Sequence, residues 1–168
     1  MSSVLPTRPP AEVTVTPMAG GADAAAFKQL NEEWIARLFT LEPADRRILD
    51  NPQAEIVDQG GQVLIARSDG AIVGCVALVA ACGGVFELSK MTVAPASRGL
   101  GIGRVIILAA IDYARTLGAT SLFLGSSTKL ANAVRLYEAM GFTHVPLDQL
   151  GPLPYRRADV FMRYVLAD

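Results

Sequence analysis

Glu87-Leu88-Ser89-Lys90-Met91-Thr92-Val93 is followed by Ala94-Pro95-Ala96-Ser97, and then by Arg98-Gly99-Leu100-Gly101-Ile102-Gly103-Arg104. A strand pattern runs into a glycine-rich turn, and the turn opens a helical pattern. The first turn of a helix carries backbone N–H groups with no internal partner. The helix dipole adds partial positive charge at the same place. Glycines let that backbone approach a diphosphate without a Cβ in the way. Arg98 and Arg104 add charge on either side. The turn is not a Walker A loop, which needs Gly-Lys-Ser/Thr after four residues. The dinucleotide pattern would need glycine at Arg104 or at Ile106, according to its starting point. The residues alone point to an anion-binding turn, with a tight turn that binds nothing as the alternative.

The flanking segments frame this turn. Glu12 to Thr16 is rich in β-branched residues and is stopped by Pro17, which predicts a first strand. Ala22 to Thr40 has helical spacing at Phe27, Leu30, Trp34 and Leu38, with Asp23 able to cap its start. Pro43 opens a short helix through Leu49. Gln62 to Arg67, Ala71 to Ala80 and Val85 to Val93 read as three strands. Their short glycine-containing connections imply antiparallel hairpins. Arg104 to Leu117 is helical, with Gly118 in the place of a C-cap glycine. Ser121 to Leu124 is a short buried strand, and Leu130 to Met140 is a helix ended by Gly141. Thr143 to Val145 and Ala158 to Leu166 are the last strands, separated by a proline-rich loop from Pro146 to Arg157. The fold class is therefore α/β (α+β), a mixed and mostly antiparallel sheet flanked by helices. Residues 1–11 read as a flexible lead-in and 12–168 as one domain.

Composition narrows the function. The chain has 168 residues, 51% hydrophobic and 18% charged, with a formal net charge of -1. That is ample for a core and sparing in surface charge, which leaves room for a homodimer contact. Nucleic acid is not expected as a partner, because phosphate backbones need clustered Lys and Arg. Nor is a membrane, since charges or glycines break each apolar run. Cys75 and Cys82 lack metal or redox spacing, which favours a reducing cytoplasm. A lone histidine, His144, argues against a metal site and against a Ser-His-Asp system.

On these residues the chain resembles the GNAT family of N-acetyltransferases. The family signature is Arg or Gln, two residues, Gly, one residue, then Gly or Ala, and Arg98, Gly101 and Gly103 fit it. A second block, Ala133-Val134-Arg135-Leu136-Tyr137-Glu138-Ala139-Met140-Gly141-Phe142, fits as well. The element order agrees from about Val13 to the C-terminus. The resemblance implies the acyl-CoA N-acyltransferase fold, with acetyl-CoA as co-substrate. It implies that backbone amides across Arg98, Gly99, Leu100, Gly101, Ile102, Gly103 and Arg104 hold the pyrophosphate. It also implies that the strand edge at Met91 and Val93 pairs with the pantetheine arm, beside a gap that admits the thioester. The family often carries asparagine seven residues before the motif tyrosine, and here that position is Leu130. Ser127, Thr128 and Asn132 are the alternatives for that contact, or are helix caps.

Direct transfer of an acetyl group to a primary amine needs a neutral amine and a leaving thiolate. Tyr137 is the candidate acid for the thiolate, as the resemblance suggests. The alternative is a core tyrosine. Glu87 is the candidate base. A carboxylate within an apolar strand is costly to bury unpaired, and desolvation raises its pKa toward a useful value. A salt bridge with Lys90 or a solvated edge is the alternative. Arg156 or Arg157, beside Tyr155, is a candidate clamp for an acceptor carboxylate, with a solvated loop tip as the favoured alternative. Trp34 and Phe27 are core residues able to line an acceptor pocket. The expected function is acetyl transfer from acetyl-CoA to the amine of a small molecule, amino acid or protein. The competing readings are a catalytically silent acyl-CoA-binding regulatory module and a structural subunit.

Overall fold

The computed structural model describes residues 12–146 and 157–166. Seven strands form one sheet. They are β1 (Val13–Pro17), β2 (Gln62–Ser68), β3 (Ala71–Ala80), β4 (Val85–Val93), β5 (Ser121–Ser126), β6 (Thr143–His144) and β7 (Val160–Val165). Their spatial order is β1-β2-β3-β4-β5-β7-β6. Every neighbouring pair is antiparallel except β4 and β5, which run parallel. The helices are α1 (Gly20–Leu38), α2 (Pro43–Asp50), α3 (Ile102–Thr116) and α4 (Ala131–Ala139). The expected mixed sheet with flanking helices is what forms.

Each face of the sheet carries its own core. On one side Ile106, Ile107, Ala110, Ile111 and Ala114 of α3 pack on Leu64, Val76, Leu78, Phe86 and Leu88, joined by Tyr137 and Phe142. On the other side Phe27, Ile35 and Leu49 of α1 and α2 meet Val63, Ile65, Cys75 and Ala77. Alternation along β2 and β3 sends successive side chains to opposite cores, as a pleated strand requires. α3 lies close to the sheet at Gly74, where an added Cβ would stand 2.7 Å from Ile106 Cδ1 and 2.8 Å from the Thr92 carbonyl oxygen.

Three local readings change. The buried stripe of α1 is Asp23, Phe27, Asn31 and Ile35, advancing in steps of four. Leu30 and Trp34 flank that stripe, and Leu38 is 40% exposed. Asp23 lies one turn inside the helix rather than at its cap. Its carboxylate accepts from the Ala19 N–H at 2.8 Å and pairs with Arg67 of β2. α3 begins at Ile102, inside the glycine turn, two residues before the expected start.

Candidate functional site

β4 and β5 share only three register pairs, Val85 with Ser121, Phe86 with Leu122 and Glu87 with Phe123. Beyond them the strands part, while β4 continues to Val93 and β5 to Ser126. The β4 edge from Leu88 onward is therefore not covered by β5. Into this gap opens a cleft of about 860 Å³. It brings together Glu87, Met91 and Val93 of β4, the turn from Arg98 to Arg104 except Leu100, and Tyr137 of α4. Leu100 is 59% exposed and is not among the residues that line the cleft.

The glycine turn has the features of an anion cradle. Gly101 is the N-cap of α3 with φ 79°, and no side chain caps the helix. Gly99 has the same φ, and a Cβ at either glycine would meet nothing within 4 Å. The amides at the start of α3 therefore remain available to a ligand. Arg98 donates from Nε to the Val93 carbonyl at 3.2 Å, which ties the turn to the end of β4.

A bulge interrupts β4 next to the gap. The register jumps from Ala77 with Ser89 to Cys75 with Thr92, so Lys90 and Met91 oppose one residue, Val76. Lys90 takes up the irregularity with φ 54°, an uncommon angle for a residue with a side chain. The bulge reverses the alternation. Phe86 and Leu88 pack in the α3 core before it, and Met91 and Val93 pack there after it. Lys90 is thereby sent to the opposite side, where its ammonium donates to Asp45 of α2 at 2.7 Å.

Asp45 is the hub of a buried ion cluster. Its side chain is 0% exposed and accepts from Lys90, from the Glu42 N–H at 2.9 Å, and from both Arg157 Nη atoms at 2.7 and 2.6 Å. Arg157 also reaches Glu42 at 3.2 Å. Burial raises the Asp45 pKa, but the hydrogen bonds from Arg157 and Lys90 outweigh it and hold the group at about 2. The expected carboxylate clamp is thus corrected in part, because Arg157 already grips two carboxylates of its own chain. Arg156 and Tyr155 lie outside the described residues.

Glu87 lines the cleft and forms no ion pair among the described residues; Lys90 pairs with Asp45 instead. Burial pushes the Glu87 carboxyl pKa up, and the nearby Lys90 charge opposes that rise. Tyr137 is 7% exposed, and burial pushes its phenol pKa well above the ordinary value. Its ring packs edge-on to Phe142 at 5.7 Å. Its hydroxyl makes no hydrogen bond to a described residue and is not among the sealed polar atoms, so it is left to the cleft it lines.

Trp34, Leu38 and Phe39 also line the cleft, and Arg37, Lys129 and Arg157 line it with them. Trp34 donates to Asn31 at 3.0 Å, and Asn31 is anchored on the Phe27 carbonyl at 2.9 Å. Phe39 lies under the Lys129 ammonium at 5.3 Å and the Arg157 guanidinium at 5.8 Å. Phe27 is fully buried and takes no part. Ser127 accepts from the Lys129 N–H at 3.1 Å and so acts as a local cap, whereas Thr128 donates its hydroxyl to Asp159 at 2.9 Å. Asn132 lines the cleft. Cys75 is sealed, with its thiol pushed up to about 12 by burial, and Cys82 is exposed away from the cleft. Phe39, Asp45 and the role of Lys90 escaped the sequence reading. Lys90 in an apolar strand was the one available signal.

The profile of the GNAT acetyltransferase family matches residues 26–142. An uncharacterized N-acetyltransferase of Schizosaccharomyces pombe is 31% identical over 150 residues, covering 86% of this chain and 91% of that one. An IAA acetyltransferase of Azospirillum brasilense is 34% identical over 131 residues, covering 77% and 85%. Among solved structures, a GNAT-family acetyltransferase of Staphylococcus aureus superposes with a TM-score of 0.83 at 19% identity, covering 93% of this chain and 100% of that one. At that identity the likeness speaks for the fold. The yncA protein of Salmonella typhimurium, solved with its cofactor acetyl-CoA, gives a TM-score of 0.71 at 27% identity, covering 93% and 95%.

Proposed function

Because this chain belongs to the GNAT acetyltransferase family and is an acetyl-CoA-dependent acyltransferase, we propose that its cleft carries the acetyl group directly to a primary amine of a small molecule. The observation that carries this reading is the convergence of three features on one cleft. They are the uncapped start of α3, the uncovered β4 edge, and the Tyr137 hydroxyl and Glu87 carboxyl that line the cleft.

Acetyl-CoA supplies a thioester whose acetyl carbon accepts the amine and whose thiolate departs. The backbone of Arg98, Gly99, Leu100, Gly101, Ile102, Gly103 and Arg104 would hold the pyrophosphate, with Arg98 and Arg104 adding charge. The peptide groups of Met91 and Val93 would pair with the pantetheine arm as an added strand. That leaves the acyl end in the gap near Tyr137. Tyr137 keeps its proton at neutral pH and has one to give to the departing sulfur. Glu87 takes the proton that the attacking amine must lose. Positioning two reactants in one cleft supplies much of the rate, and no covalent enzyme intermediate is needed.

The acceptor enters past Trp34, Leu38 and Phe39, which favours an amine with an apolar or aromatic body. Two free cysteines fit a reducing compartment such as the cytoplasm. No helix among the described residues is long and apolar enough to cross a membrane. The test is thiol release from acetyl-CoA across a panel of amines, with the acetylated amine identified by mass. The reading expects amine-dependent release with a preference for apolar amines. Tight acetyl-CoA binding with no release on any amine would favour the silent binding module.

A further inference from the structure

The buried cluster around Asp45 is the strongest feature that the transfer chemistry leaves unused. Burying three or four ions is costly, and a hydrophobic replacement is often as stable. The cluster also sits where the β4 bulge reverses the strand, and the bulge delivers Lys90 to the same face as Glu87. Glu87 lies opposite Val79, a residue packed on the α1 core, and Lys90 reaches Asp45 of α2 on that side. An unbulged strand would have sent position 90 toward the α3 core with Phe86 and Leu88.

We propose that Lys90, aimed by the bulge and anchored by Asp45, is an electrostatic positioning residue that keeps Glu87 ionised for proton removal from the acceptor amine. This rests on the reading of Glu87 as the base. The charged and titratable groups around the same part of the cleft are Arg37 from α1, Glu42 and Asp45 from the α2 end, and Lys129 before α4. Tyr137 from α4 and Arg157 before β7 complete the set. Of these only Lys90 acts appreciably on Glu87. Arg37 has its own partner in Glu33. Arg157 shares Asp45 and Glu42, and its like charge repels that of Lys90. Asp45 therefore has two tasks: it makes a buried ammonium tolerable, and it fixes that ammonium on the face of β4 that carries Glu87. Without Lys90, burial acts on Glu87 unopposed and favours its protonated form.

The test is the pH dependence of kcat/KM for one amine, whose own ionisation is the same for every variant. Lys90→Met should move the acid limb to higher pH and lower the rate several-fold on its low-pH side, with the high-pH rate largely kept. Lys90→Arg should return the limb toward its original place. An unmoved limb in a folded Lys90→Met protein overturns the proposal. If Lys90→Met does not fold, Lys90→Gln serves. It removes the same charge and should move the limb the same way, and an unmoved limb there overturns the proposal equally. Glu87→Gln separates the two levels. Loss of the limb in that variant upholds the base assignment whatever Lys90 does. A limb that persists shows that the base assignment has failed and takes the proposal with it.

Discussion

The two ends of the cleft are built in opposite ways. The proposed cofactor end is one contiguous turn from Arg98 to Arg104, made of backbone amides and glycines and open to solvent. The proposed acceptor end is assembled from α1, the α2 start, β4 and the approach to β7. It is underpinned by ions with side-chain exposures of 3% at Lys90, 0% at Asp45 and 14% at Arg157. The difference teaches where each function resides. A diphosphate looks alike in every reaction of this kind, so a local backbone motif suffices. An acceptor differs from enzyme to enzyme, so its site is drawn from segments that vary independently.

The comparison breaks most severely at Asp45. Asp45→Asn should cost about 3–5 kcal/mol, because it strips the shared partner from two buried cations. A denaturant melt would register this as a lower midpoint, whereas a change under about 1 kcal/mol would mean the cluster is not a structural hub. Tyr137→Phe should lower kcat about a hundredfold with the melting temperature nearly unchanged. Full activity would remove the acid assignment.

The acid response comes next. The Asp45 pKa is depressed to about 2 from an ordinary 3.8. Its contribution is therefore fully present above pH 3.8 and is lost as pH falls toward 2. That window should take away about 2 kcal/mol on the scale of 1.36 kcal/mol per unit. Acid unfolding of the wild type should steepen there, and the Asp45→Asn protein should lack that component.

At the cofactor end, Gly101→Ala puts a Cβ on a left-handed residue and should cost about 1–2 kcal/mol, read as a lower melting temperature. Leu100→Ala is the smallest expected change. An exposed side chain that does not line the cleft should leave stability within about 0.5 kcal/mol and acetyl-CoA affinity unaltered.

The same contrast explains what the sequence disclosed. The turn, Gly118, Gly141 and the Tyr137 block are local patterns, and each falls on the element expected of it. The antiparallel pairing of β2, β3 and β4 followed from short glycine hairpins. Asp45 did not declare itself, because Pro43-Ala44-Asp45-Arg46-Arg47 reads as a solvated helix start. Only tertiary packing brings Arg157 across to it, 112 residues later. Lys90 read only as a possible salt-bridge partner of Glu87, and the structure pairs it with Asp45 instead. Period-two alternation assigns Lys90 to the α3 core, and a bulge is invisible to periodicity. Asn31 is hidden similarly, a polar residue within a buried stripe made acceptable by Phe27, Cys75 and Trp34.

Amide hydrogen exchange with and without acetyl-CoA tests the division of the cleft most directly. The account predicts slowed exchange at Ile102, Gly103 and Arg104 and along Met91 to Val93, with Trp34 to Phe39 unchanged until an amine is added. Protection confined to the Trp34 to Phe39 end, with the turn and the β4 edge unaffected, would contradict it.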